Sequence, residues 1–186
     1  YGKGIGPNDP RYVHLVFVGT TNFAVSFAME AAHILHFPNF DEKTKQPKTR
    51  ITFIERNADQ EKALFMTRNR HLMAFHKADD ILDVEFEFIK GDIFSQEMQE
   101  LVRSWACDTD KQYLSLFLAM ADQRNNFIMG MNMPDEVYDN AIPVFIRQDK
   151  ADNFVTNLRK ADSHELTYAR VDNNQLTQQT RQGRYA

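Results

Sequence analysis

Residues 13–18, Val-His-Leu-Val-Phe-Val, form a nearly continuous apolar run that stops at Gly19. A run this short and this apolar reads as a strand buried on both faces. Thr20, Thr21 and Asn22 follow at once, and side chains of these types accept hydrogen bonds from the free N–H groups at a helix start. From Phe23 to about Phe37 apolar residues recur at helical spacing, through Phe27, Ala31, Ile34 and Leu35, and Pro38 is expected to end the helix. A doubly buried strand that turns at a glycine into a capped helix constrains the fold strongly. Parallel strands need cover on both faces and a crossover to bring the chain back.

The same unit repeats along the chain. Residues 39–49 are polar and lysine-rich and read as an exposed loop. Residues 50–55, with Ile51, Phe53 and Ile54, predict a second strand. Asn57 with Gln60 forms a weak capping box for a helix running to about Phe75. Val84-Glu85-Phe86-Glu87-Phe88 alternates strictly, so this third strand has one wet face or lies near an edge. A helix is expected over 95–105, a strand over 113–120, a helix around Asn126–Met129, and a fifth strand over 143–147. A short helix over 151–160 and a sixth strand over 165–170 complete the pattern.

Strand and helix thus alternate five times. The expected fold is α/β of the Rossmann type: a doubly wound, mostly parallel sheet of about six strands, order 3-2-1-4-5-6, with helices on both faces. In that order the third strand stands at an edge, which suits its alternation. The domain is expected over 12–171. Residues 1–11, with three glycines and two prolines, read as a flexible lead-in, and 172–186, rich in glutamine, as a disordered polar linker or tail.

Open α/β sheets bind ligands beyond the carboxyl ends of their strands, where the strand order reverses. Four segments are expected to meet there. In Gly19-Thr20-Thr21-Asn22-Phe23-Ala24 the helix N-terminus offers free N–H groups and the positive end of a dipole to a phosphate. This segment keeps the first glycine of the dinucleotide fingerprint and the permitted final alanine, but it has Thr21 where the second glycine belongs. Glu55 ends the second strand, where a carboxylate typically takes the ribose hydroxyls, and Arg56 beside it suits a phosphate. Asp92 and Ile93 follow the third strand, and Ala119 and Asp122 the fourth, at positions that face the base and the middle of a ligand. Asp92 and Asp122 are equally good as helix caps.

Taken in order, Gly19, Glu55, Gly91-Asp92, Ala119-x-x-Asp122-x-x-x-Asn126 and Ile142-Pro143-Val144 resemble the TrkA-N family. These are the nucleotide-binding domains, also called RCK domains, that regulate potassium transporters and channels. Residues 90–95 resemble the family's Gly-Asp-Ala-Thr box, 126–129 its Asn-Leu-Leu helix and 141–147 its fifth strand, so the resemblance spans about residues 12–160. It implies a cofactor that is NAD, NADH or an adenine nucleotide, pairing as a homodimer, and a parent membrane transport or channel segment with this domain on its cytoplasmic side.

Composition sets the alternatives. The 186 residues are 42% hydrophobic and 26% charged, with a formal net charge of -4, values of an ordinary globular domain. With no strong basic run, nucleic acid is not an expected partner. No segment reaches the roughly 18–20 apolar residues of a spanning helix, so direct membrane insertion of this chain is not expected either. With an opening Tyr1-Gly2-Lys3 and a polar end, the chain is expected to be a segment of a longer protein. The single cysteine, Cys107, excludes an intramolecular disulfide and has no nucleophile signature around it. His33 with His36, and His71 with His76, do not define a metal site, which needs three or four converging ligands. The methionines and Trp105 read as packing residues. The rival functional readings are a nicotinamide-dependent oxidoreductase or methyltransferase fragment, for which no acid–base pair is evident, and a degenerate dimerisation scaffold without a ligand.

Overall fold

The computed structural model describes residues 4–70, 83–148, 168–172 and 175–179, the last two segments as backbone only. Five parallel strands form one sheet: β1 (Tyr12–Val18), β2 (Thr49–Glu55), β3 (Val84–Lys90), β4 (Gln112–Leu118) and β5 (Val144–Ile146). Their order is β3-β2-β1-β4-β5. β1 lies at the centre, with Val16 in register with Thr52 of β2 and Leu116 of β4. The helices are α1 (Asn22–Ile34), α2 (Ala58–Arg68), α3 (Gln96–Cys107), α4 (Gln123–Met131) and the short α5 (Asp135–Asp139).

The alternating side chains of β1 divide the core in two. Leu15 and Phe17 join Ile51, Phe53 and Phe117 beneath the alanine face of α1, which buries Ala24, Ala28, Ala31 and Ala32. Such small residues let α1 approach the sheet closely, and the space is filled by rings. Phe17 stacks on Phe53 at 5.4 Å and on Phe117 at 4.7 Å, and Phe117 on Phe145 at 4.6 Å. On the opposite face Val16 and Val18 join Leu114, Leu116 and Leu118 against Met98, Val102 and Ala106 of α3 and Met129 of α4. The sheet is therefore covered by α1 and α2 on one side and by α3 and α4 on the other, as a doubly wound fold requires.

Several expectations are corrected. The expected sixth strand is seen only in part. Tyr168–Asp172 (β6) is a strand, but it pairs antiparallel with β7 (Gln175–Gln179) in a separate sheet of two. β7 falls inside the segment expected as a polar tail. α1 ends at Ile34, earlier than Phe37, because a proline at 38 clashes with the carbonyl four residues before it, that of Ile34. Asn57 makes no side-chain bond to α2, so the expected capping box is not formed. The 39–49 loop is exposed only in its middle. Asn39 and Lys48 are buried, and the Asn39 amide donates to the carbonyls of Asp9 and Arg11 at 2.9 and 2.8 Å. That bond anchors the lead-in, which is also held by Tyr113 donating to Asp9 at 2.9 Å. α5 is an element that the sequence reading did not anticipate. α2 ends at Arg68, short of the expected Phe75, with Asn69 at its C-cap; residues 71–75 and the helix expected over 151–160 lie outside the described residues.

Candidate functional site

The carboxyl ends of β1 to β4 open onto a crevice of about 420 Å³. It sits between β1 and β4, where the strand order reverses, and it is lined from four turns. The first supplies Gly19, Thr20 and Thr21, the second Glu55 and Arg56, the third Gly91 to Phe94, and the fourth Met120, Ala121 and Asn125.

The first turn is built around Gly19, whose φ is +95°. A side chain at this angle is strained, and space forbids it as well. A Cβ there would stand 2.9 Å from Met120 Cα and 3.0 Å from the Ala119 carbonyl oxygen. The Gly19 N–H donates to the Ile54 carbonyl at 3.0 Å, so the turn is pinned to β2 while it touches the end of β4. Thr21 is the N-cap of α1 and its hydroxyl accepts from Ala24 N–H at 3.4 Å. The same hydroxyl donates to the Ala119 carbonyl at 2.9 Å. Thr20 donates to Glu55 Oε2 at 3.3 Å.

Glu55 thus sits at the crevice with one oxygen toward Thr20 and the other accepting from the Arg56 N–H at 2.8 Å. Arg56 extends across to Asp92, Nη2 to Oδ2 at 2.7 Å, and is largely exposed. Asp92 also accepts from Phe94 N–H at 3.1 Å, which shapes the turn after β3. Met98 packs against Gly91 where a Cβ would stand. Ile93 is buried, whereas the Phe94 ring at the rim is 42% exposed.

Of the residues singled out in the sequence, Gly19, Thr20, Thr21, Glu55, Arg56, Asp92 and Ile93 meet at the crevice. Asn22, Phe23, Ala119 and Asp122 lie beside it and are not among its lining residues. Asn22 opens α1, and Phe23 packs toward Phe27, with the Arg147 guanidinium 5.9 Å from its ring. Ala119 contributes only its carbonyl. Asp122 caps α4, accepting from Arg124 N–H at 2.9 Å. Met120 and Ala121 were expected only as part of the segment 119–122 after the fourth strand, and Phe94 and Asn125 were not assigned to the site. Phe94 alone carried a signal, an aromatic in a turn just after a strand end.

Among the described residues no group of three or more His, Cys, Asp and Glu side chains is placed to hold a metal. His36 has left the helix that carries His33 and pairs with Asp83 at 2.8 Å. His71 and His76 lie outside the described residues. Cys107 is free and exposed at the end of α3. Among the described residues no helix is long and apolar enough to cross a membrane. Compared with known proteins, the chain matches no family model, no curated protein and no solved structure.

Proposed function

We propose that this chain is a regulatory nucleotide-binding domain, TrkA-N-like, of a larger potassium channel or ion-transport protein, and that it senses NAD(H) or an adenine nucleotide. The observation that carries the reading is the crevice at the strand-order reversal, with the positive-φ Gly19 turn on one wall and the Glu55 carboxylate on the next. Ligand at this place meets the start of α1, where backbone N–H groups and the helix dipole favour phosphate. The Glu55 oxygens are suited to accept the paired hydroxyls of a ribose. Regulation then follows from linkage: a ligand favours whichever arrangement of paired domains binds it better, and that preference biases the gate of the parent protein. The paired domains are two copies of this one on the cytoplasmic side of the pore.

Thermal unfolding of the purified chain with NADH, NAD, ATP and ADP tests the reading. A ligand at about 100 times its Kd adds roughly 2.7 kcal/mol to the folded state, so at least one of the four raises Tm clearly. An unchanged Tm with all four, at millimolar concentration, removes the sensing role.

A further inference from the structure

Resting on that reading, we propose that the crevice takes a nucleoside phosphate with a single base, such as ADP, and excludes dinucleotides such as NADH. A dinucleotide must lie across the sheet. Its first nucleoside rests over the ends of β1, β2 and β3, its pyrophosphate over the start of α1, and its second nucleoside over β4 and β5. Here the first half is furnished with charged and aromatic side chains, and the second is not.

On the β2–β3 side stand a carboxylate for the sugar (Glu55), a cation for phosphate (Arg56), a buried apolar wall (Ile93) and an exposed ring (Phe94) able to stack on a base. Arg56 is already poised in the rim, held to Asp92 by an ion pair whose partners are 68% and 39% exposed. An exposed pair of this kind contributes little, so a phosphate can take the guanidinium from Asp92 at small cost.

On the β4 side the crevice wall is Met120, Ala121 and Asn125, which offer neither a charge nor a ring to a second nucleoside. The Thr21 hydroxyl donates to the Ala119 carbonyl at 2.9 Å and so ties the start of α1, where a pyrophosphate would rest, to the end of β4. Thr21 is also the residue standing where a pyrophosphate site keeps a bare glycine. Beyond it, the Arg147 guanidinium stands 5.9 Å from the Phe23 ring, so a cation and a ring join the start of α1 to the chain leaving β5. The crevice volume of about 420 Å³ sits toward the small end of the ~300–1,000 Å³ range of small-molecule sites.

Calorimetric titration of the whole chain with AMP, ADP, ATP, ADP-ribose, NAD and NADH tests this selectivity. We expect AMP, ADP or ATP to bind at least about tenfold more tightly than NAD or NADH. We expect ADP-ribose to fall between, since it adds a sugar without a second base. NAD or NADH binding as tightly as the best mononucleotide overturns this inference and leaves the nucleotide-sensing reading standing. Silence from all six ligands overturns both. Thr21→Gly removes the tie to Ala119 and is expected to narrow the gap between ADP and NADH. A folded Thr21→Gly with the wild-type preference undiminished counts against the Thr21 argument. If this variant does not fold, the six wild-type affinities still uphold or overturn the exclusion of dinucleotides.

Discussion

The side-chain amide of Asn126 closes a ring of hydrogen bonds on the backbone of Met120: Oδ1 accepts from Met120 N–H at 2.8 Å and Nδ2 donates to the Met120 carbonyl at 3.1 Å. The same Nδ2 reaches the Arg147 carbonyl at 3.3 Å. Asn126 is fully buried, so it acts as a clasp joining the end of β4, the start of α4 and the chain leaving β5. Replacing it by Leu leaves the Met120 N–H and carbonyl without their partner away from water. A loss of about 2 kcal/mol or more is expected, read as a lowered midpoint in urea unfolding. A midpoint within error of wild type means that the turn finds other partners.

Gly19→Ala combines a disfavoured φ with a Cβ set against Met120 and Ala119. A stability loss above about 1 kcal/mol is expected, and for a chain of this length each such unit lowers Tm by roughly 2–4 °C. Ligand-induced stabilisation should shrink as well, because the contact that shifts is the wall of the crevice. An alanine variant as stable as wild type would contradict the geometry of this turn.

Glu55→Gln keeps the shape of the side chain and removes its charge. The amide oxygen can still accept from the Arg56 N–H, and the amide N–H can donate to the Thr20 hydroxyl oxygen, which then turns its own proton elsewhere, so stability is expected to change by less than about 0.5 kcal/mol. Affinity for a ribose-bearing ligand should fall by about tenfold, the loss of one good charge-assisted bond. Unchanged affinity, measured by the same calorimetry, places the sugar elsewhere.

Acid should destabilise the fold through His14. The ring is fully buried in the central strand, between Gln112 on β4 and Thr52 on β2, with the Trp105 ring edge-on at 4.9 Å. Burial, aided by the nearby positive charge of Arg50, holds its pKa down at about 4, against the opposing pull of the Gln112 bond. Gln112 spends its amide N–H on the Trp105 carbonyl, so His14 Nδ1–H donates to the Gln112 oxygen and neutral Nε2 accepts from the Thr52 hydroxyl. Thr52 also lies 3.1 Å from Glu87 Oε2, and its proton is free to turn there only when Nε2 is protonated. Because the folded pKa lies below the ordinary 6.5, the unfolded chain takes the proton first. Stability attributable to His14 is complete above about pH 6.5 and drains away toward pH 4, by on the order of 3 kcal/mol. Comparing the pH dependence of urea unfolding in wild type and His14→Gln isolates this part from the carboxylates. Equal slopes between pH 6.5 and 4 would show that His14 titrates normally in the fold.

The sequence by itself determined the parallel α/β plan, because period and run length report burial directly. The doubly apolar β1, the half-wet alternation of β3 and the helical spacing in α1 left little choice of layer, and the strand order came from the common doubly wound plan. It also located the turns that carry Gly19, Glu55 and Asp92, since residues at successive strand ends must share one edge of a parallel sheet. Tertiary structure decided what was not periodic. His14 looked like part of an apolar run and is the centre of a polar row, because its partners Gln112 and Thr52 are 98 and 38 residues away. Asp122 and Thr21 both have the chemistry of a ligand contact or of a cap, and only packing commits Asp122 to α4 and ties Thr21 to Ala119. Strand membership at the sheet's end was open for the same reason: β6 has the composition of a strand, but which neighbour it bonds depends on where the chain leads it, not on its own residues.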